Sequence, residues 1–179
     1  MPPPFDYSIY YRLFHDNSPA HTDMMVSYMR AELGALLPRT LHDPALDIGC
    51  GTGYAMLMLR GMGFQDVRGI EVDPAQARTA REHGLDVELV SDTLAYLDKH
   101  ADCFGLVLLL DVLEHIPADQ QIELCRAIRR ALRPAGRLIL KVPNATSLLA
   151  MRWRYNDFTH CSSFTERSMY FVLRNAGFT

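Results

Sequence analysis

From residue 18 onward the chain alternates between short apolar runs and longer stretches whose apolar positions recur at helical spacing. Met25, Met29, Leu33 and Leu36 follow a Ser18-Pro19 start, a capping serine and a first-turn proline, and Pro38 ends the run. This pattern predicts a helix. Apolar runs at 45–48, 67–72, 87–90, 104–110 and 137–142 predict five strands. The fourth, FGLVLLL, is apolar throughout, as a strand covered on both faces should be. Stretches 54–60, 74–82 and 118–132 carry the helical pattern, with Gly84 as one stop and Pro134 with Gly136 as another. A last helix is predicted over 165–175, ended near Gly177. Strand and helix in regular alternation predict an α/β fold, a doubly wound and mostly parallel sheet with helices on both faces. Residues 1–18, with Tyr7, Tyr10, Tyr11, Phe14 and His15, read as an aromatic arm of irregular or short helical structure. The organisation expected is an arm and helix over 1–44 and one core over 45–179.

Composition narrows the picture. The 179 residues suit one domain, and 49% hydrophobic with 22% charged residues is an ordinary globular balance. A net charge of −3 provides no electrostatic basis for holding nucleic acid or an anionic membrane. The longest apolar run, at 104–110, falls far short of the roughly 18 residues that span a bilayer. The start, MPPPFDYS, has neither the basic nor the apolar region of a secretory signal. Cys50, Cys103, Cys125 and Cys161 form no CxxC pair, which argues against a zinc knuckle and suits reduced thiols in a cytoplasm.

Ligands of such sheets bind at the carboxyl ends of the strands. The first of these ends carries LDIGCGTGY, with glycine at 49, 51 and 53. A dinucleotide fingerprint would place its third glycine at 54, where Tyr54 stands, and the Lys-Ser/Thr pair of a phosphate-binding loop is absent. Asp47, just ahead of the first glycine, would repel a pyrophosphate and favour a ligand with a cationic amino group. A turn with no ligand is the bland account. Three glycines, each costing about 1 kcal/mol of order, weigh against it.

With LDIGCGTG after the first strand, Glu71 ending the second (GIEVD) and Asp92 after the third, the chain resembles the class I S-adenosylmethionine-dependent methyltransferases from about residue 45 to 178. The resemblance implies that the glycine loop lies under the homocysteine part of the cofactor. It implies that the acid after strand two takes both ribose hydroxyls and that the acid after strand three approaches the adenine amino group. Carried over by position, Asp47, Gly49, Cys50, Gly51 and Gly53, then Glu71 with Val72, then Asp92 with Thr93, and finally Asp111, are the expected cofactor residues. A carboxylate can indeed accept two hydrogen bonds from a vicinal diol. Asp73, before Pro74, reads instead as a helix cap.

After strand four comes DVLEHIP, similar to a segment of many small-molecule methyltransferases. In the ubiquinone-pathway O-methyltransferases a comparable set is associated with a divalent cation. The expectation here is cleft lining without a metal, with Asp111, Glu114 and His115 as the ligand set if one binds. In the bland account Glu114 and His115 satisfy backbone donors. The stretch 151–164, containing YNDFTH, reads as a long polar loop over the acceptor site. His115 or His160 is the candidate base, with Asp157 beside them. The alternative is that Asp157 and His160 bond each other and hold the loop. Ser163-Phe164-Thr165-Glu166 reads as a helix cap.

Members of the family usually add two further strands where this chain ends, so a truncated chain or a larger parent protein is expected, with an open sheet edge that favours homo-oligomers. The expected function is methyl transfer from S-adenosylmethionine to a small acceptor, an oxygen of a saccharide or a quinone precursor. The competing class is a non-catalytic cofactor-binding module, separated from the enzyme by turnover. A nicotinamide dehydrogenase is a third class, opposed by Tyr54.

Overall fold

The computed structural model describes residues 18–179 together with Ile9, Leu13 and Asp16. The aromatic arm residues Tyr7, Tyr10, Tyr11, Phe14 and His15 lie outside the described residues. Helix α1 spans Pro19–Leu33 and is capped by Ser18, whose hydroxyl accepts from the His21 amide at 3.2 Å. A turn of 3-10 helix, Gly34–Leu36, extends it to the predicted stop. The alternation then runs β1 (Ala45–Ile48), α2 (Tyr54–Gly61), β2 (Val67–Glu71), α3 (Pro74–Glu82), β3 (Asp86–Leu89), α4 (Thr93–Asp98), β4 (Phe104–Leu110), α5 (Ala118–Ala131) and β5 (Leu132–Lys141). Two helices follow, α6 (Ala150–Asn156) and α7 (Glu166–Asn175).

The five strands form one sheet in the order β3-β2-β1-β4-β5, parallel at every pairing. Period-two alternation divides their side chains between two cores. Leu46, Ile48, Val107 and Leu109 face Leu97, Leu124, Ile128 and Val172, which come from α4, α5 and α7. Ala45, Leu106 and Leu108 face Leu33, Met56, Leu59 and Ala77, which come from α1, α2 and α3. Helix α1 is thus packed on the sheet as one of its covering helices. β1 is the switch point: the chain winds through β2 and β3 to one side, then through β4 and β5 to the other. The winding reverses between β1 and β4, and such sheets take their ligands outside the carboxyl ends of the strands at that point.

Three expectations are corrected. Helix α4 was not foreseen; Asp92 caps it, its carboxylate accepting from the Ala95 amide at 2.9 Å. Pro134 and Gly136 do not separate helix from strand, because β5 begins at Leu132. Their turn character goes into an irregularity of the β4–β5 pairing, where Phe104 pairs Leu132 but Leu106 pairs Arg137. Ala135 takes φ 63° inside that excursion, and β5 ends the sheet's order, where proline is tolerated. The stretch 151–164 is not loop throughout, since α6 occupies its first half.

Candidate active site

The glycine turn after β1 is held by Glu71, the last residue of β2. Its buried carboxylate accepts from the Gly51 amide (2.8 Å) on one oxygen and from the Val72 and Asp73 amides (2.8 and 2.9 Å) on the other. Three backbone donors therefore anchor the acid that the sequence singles out. Asp73 is the helix cap expected of it, accepting from Ala75 and Gln76 at 2.8 and 3.0 Å.

The glycines have different reasons for being there. A β-carbon on Gly49 would stand 2.6 Å from a Val112 methyl, and one on Gly53 2.1 Å from Leu85 Cδ1. Both are therefore packing positions, joining the turn to the segment after β4 and to β3's approach. A β-carbon on Gly51 would meet only the end of the Gln76 side chain, at 3.0 Å. Gly51 is thus the open point of the loop, where a ligand can approach the backbone closely. Beneath it Asp47, 3% exposed on β1, has its carboxyl pushed up to about 8 by burial and by the charge of Glu71. The same burial, with Asp47 and Glu71 as neighbours, pushes the Cys50 thiol up and keeps it protonated. A positively charged group here would offset the cost of ionising Asp47. Val72, 64% exposed at the end of β2, offers an apolar surface on the same rim, and Asp92 and Thr93 open α4 after β3.

Beyond β4 the chain turns through Asp111 at φ 54° into a 3-10 turn, Leu113–His115. Val112, lying against Gly49, links this turn directly to the glycine loop. The Glu114 carbonyl accepts from the Cys161 and Ser162 amides at 2.7 and 3.1 Å, bringing the segment after α6 alongside. Gln121, buried on α5, fastens both by donating to the Ile116 carbonyl (2.9 Å) and the Ser162 hydroxyl (3.0 Å). The result is a cluster of two acids and two imidazoles. Asp157, 2% exposed, accepts from the Thr159 amide at 2.8 Å and from its hydroxyl at 2.6 Å. That hydroxyl, having given its proton to Asp157, accepts from His115 Nδ1 at 2.7 Å. The His160 ring stands edge-on to the His115 ring, centroids 4.6 Å apart. Burial, then the neighbouring His160, hold His115 below its ordinary pKa, so its imidazole is neutral near pH 7. Glu114, 1% exposed, is raised to about 8, chiefly by burial, with Asp111 and Asp157 adding to it.

The geometry changes two sequence expectations. The Asp111 carboxylate is drawn to Lys141, although its charge still adds to the rise at Glu114. Its carboxylate lies 3.5 Å from Lys141 Nζ, which also reaches Glu32 on α1 at 3.1 Å. His160 takes the place of Asp111, for Glu114, His115 and His160 bring ligating atoms within 4.8 Å of one another. The Asp157 and His160 side chains stand 3.8 Å apart, too far for a hydrogen bond; the loop is held by the His160 amide donating to the Asp157 carbonyl at 3.3 Å and through Thr159. The bland account of Glu114 holds for one carboxyl oxygen, which meets a backbone donor, whereas Oε2 is buried with no hydrogen-bond partner among the described residues. Thr165 is the cap of α7, reciprocated by Ser168 and not by Glu166. Thr159, Gln121 and Lys141 were missed; only the DFTH spacing around Thr159 hinted at a role.

Sheet order, and a glycine turn at the switch point tied to an acid at the end of β2, define the class I methyltransferase fold. The chain belongs to the methyltransferase-domain family, whose model matches residues 25–179. It is 34% identical over 109 residues to a ubiquinone biosynthesis O-methyltransferase of Xanthomonas oryzae pv. oryzae, covering 56% of this chain and 43% of that one. It is 27% identical over 136 residues to 27-O-demethylrifamycin SV methyltransferase of Amycolatopsis mediterranei, covering 71% of this chain and 48% of that one. The chain thus spans about half the length of the curated relatives it matches. Among solved structures, a SAM dependent methyltransferase from Archaeoglobus fulgidus superposes with TM-score 0.80 at 22% identity, over 95% of this chain and 75% of that one. No helix among the described residues is long and apolar enough to cross a membrane.

Proposed function

We propose that this chain transfers a methyl group from S-adenosylmethionine to an oxygen of a small-molecule acceptor. The observation that carries the reading is the pairing of an open Gly51 backbone with the buried carboxylates of Asp47 and Glu71 at the switch point. Two buried acids side by side favour a ligand carrying an amino group and a sulfonium, and disfavour pyrophosphate. Glu71 would hold the ribose hydroxyls, Asp47 and the glycine turn the amino-acid end, and Val72, Asp92 and Thr93 the adenine. Bound there, the cofactor supplies a methyl group already activated by positive sulfur. What this chain must add is alignment, exclusion of water and removal of the acceptor's hydroxyl proton.

The Glu114–His115–Asp157–His160 cluster is suited to that last task. His115 is neutral near pH 7, the form in which an imidazole can take up a proton, and the Thr159 hydroxyl 2.7 Å from its Nδ1 orients the ring. Oxygen acceptors are also what the names of both relatives state. A phenolic or saccharide hydroxyl is the acceptor class proposed, in a cytoplasmic setting.

The test is turnover of methyl-labelled S-adenosylmethionine against a panel of catechols, phenols and sugars. Formation of S-adenosylhomocysteine with at least one acceptor is expected, with His115→Ala slower by about 10²–10⁴-fold, the range of general acid–base effects. Tight cofactor binding without turnover on any acceptor would favour the non-catalytic module instead.

A further inference from the structure

Helix α4 is six residues long and buries only Tyr96 and Leu97. On the sheet face that it packs against, Arg68 of β2 stands opposite Asp86 of β3, and Ile70 opposite Glu88. Period-two alternation therefore puts Arg68, Asp86 and Glu88 on one face, while Val87 turns to the other core. A cavity of about 320 Å³ lies here, lined by these three side chains together with Asp66, Tyr96 and His100. We propose that it is a second binding site, for a small primary amine that also carries hydroxyl groups. The volume is at the small end of ligand pockets.

The charge balance sets the sign of the ligand. Arg68 is already neutralised, its Nε and Nη2 donating to the two Asp66 carboxylate oxygens at 2.9 and 2.7 Å. The Asp86 and Glu88 carboxylates have no hydrogen bond or ion pair among the described residues. The cavity thus attracts an ammonium group and repels an anion.

Tyr96 distinguishes it from an ordinary acidic strand edge. The residue is 8% exposed, yet its hydroxyl has no hydrogen-bond partner among the described residues. Burial, then the charge of Glu88, raise that hydroxyl above its ordinary pKa, with Arg68 opposing and Asp86 adding. The hydroxyl therefore stands among the charged groups of the cavity, and it keeps its proton. It is left as a donor for a ligand oxygen, and Arg68 Nη1, also without a partner there, is a second. The ring is fixed by stacking on His100, centroids 4.2 Å apart, whose Nδ1 donates to the Tyr96 carbonyl at 2.8 Å. Carboxylates that accept from N–H, beside donors that want oxygen, match an ammonium and hydroxyls on one short skeleton.

The site is separate from the cofactor turn. Arg68 precedes Glu71 by three residues along β2, about 10 Å, and neither Asp47, Gly51 nor Glu71 lines the cavity. It stands whether or not the methyl-transfer reading does.

Three probes of similar ring size separate the contributions: glucosamine, glucose and cyclohexylamine. Each is titrated calorimetrically into the full chain at low ionic strength, in a buffer acidic enough to keep the amines charged. Glucosamine is expected to bind at one equivalent, and glucose about 10-fold or more weakly, for lack of the charge-assisted contacts. Cyclohexylamine should bind more weakly than glucosamine. Glu88→Gln combined with Asp86→Asn should weaken glucosamine about 10-fold or more, and Tyr96→Phe about 2–10-fold. Tyr96→Phe should leave cyclohexylamine unchanged, and Asp119→Asn, outside the cavity, should leave all three unchanged. Thermal melts check the fold, and Tyr96→Phe keeps the buried ring. Glucose binding as tightly as glucosamine overturns the proposal. So does glucosamine indifferent to Tyr96→Phe or to the double variant, or showing no saturable binding up to about 10 mM. S-adenosylhomocysteine affinity should be the same in every variant, so failure here and failure of the methyl-transfer reading are read separately.

Discussion

Gly53 and Gly51 sit two residues apart and answer to different demands. At Gly53 an added methyl meets Leu85 at 2.1 Å with φ 91°, so both space and backbone forbid it. Gly53→Ala should cost more than about 3 kcal/mol, overpacking added to left-handed strain. Gly51→Ala meets only a flexible glutamine end, and its cost should be the strain alone, about 1–2 kcal/mol. Denaturant titration gives both values. A folded Gly51→Ala that loses cofactor affinity marks the position where ligand nears the backbone. Asp47 provides a second test. Its folded pKa, about 8, lies above its ordinary value of 3.8, so the folded chain holds a proton that the unfolded chain releases in between. This group's contribution to stability is therefore full below about pH 4 and is lost as pH rises through 8. Asp47→Asn removes that dependence. Urea titrations should find the variant more stable at pH 8 by at least about 1.4 kcal/mol, one pKa unit's worth, and little changed at pH 4. Equal effects at the two values would contradict the assignment.

At the scale of the elements, the test case is Asp92, placed by sequence resemblance near the adenine and by the structure at the start of α4. The two roles separate by substitution. Asp92→Ala should cost about 1 kcal/mol of stability through the lost cap, and Asp92→Asn almost nothing. If Asp92 also holds ligand, both variants should bind S-adenosylhomocysteine more weakly. Calorimetry beside thermal melts distinguishes the cases. The same helix shows where sequence reading stops. β1, β4 and α3 are legible to the residue, because a buried parallel strand is apolar throughout and Asp-Pro marks a helix start. Helix α4 is six residues long with only Tyr96 and Leu97 buried, too little for a periodic signal. Pro134-Ala135-Gly136 has turn chemistry, and the chain uses it inside an edge strand rather than before one. Motif position identified Asp73 as a cap because that role is local to one strand end. The Glu114–His115–His160 grouping was not legible: it depends on an approach across 46 residues, fixed by the Glu114 carbonyl and by Gln121.

For the whole molecule, winding decides where the chemistry sits. β1 pairs in parallel with both β2 and β4, so the turns that follow β1, β2 and β4 lie side by side at one end of the sheet. Glu71 ties the first two turns together and Val112 the first and third. The relatives the chain matches are about twice the length it spans of them, and the residues proposed to hold the cofactor fall between 47 and 93. The central claim is that this end of the sheet takes a sulfonium cofactor and not a dinucleotide. The most direct measurement is calorimetric titration of S-adenosylhomocysteine and of NAD into the chain and into Glu71→Gln. Micromolar binding of S-adenosylhomocysteine is expected, weakened about 10-fold or more in the variant by loss of a charged acceptor, with no binding of NAD. Binding of NAD alone, or S-adenosylhomocysteine affinity indifferent to Glu71→Gln, would contradict it.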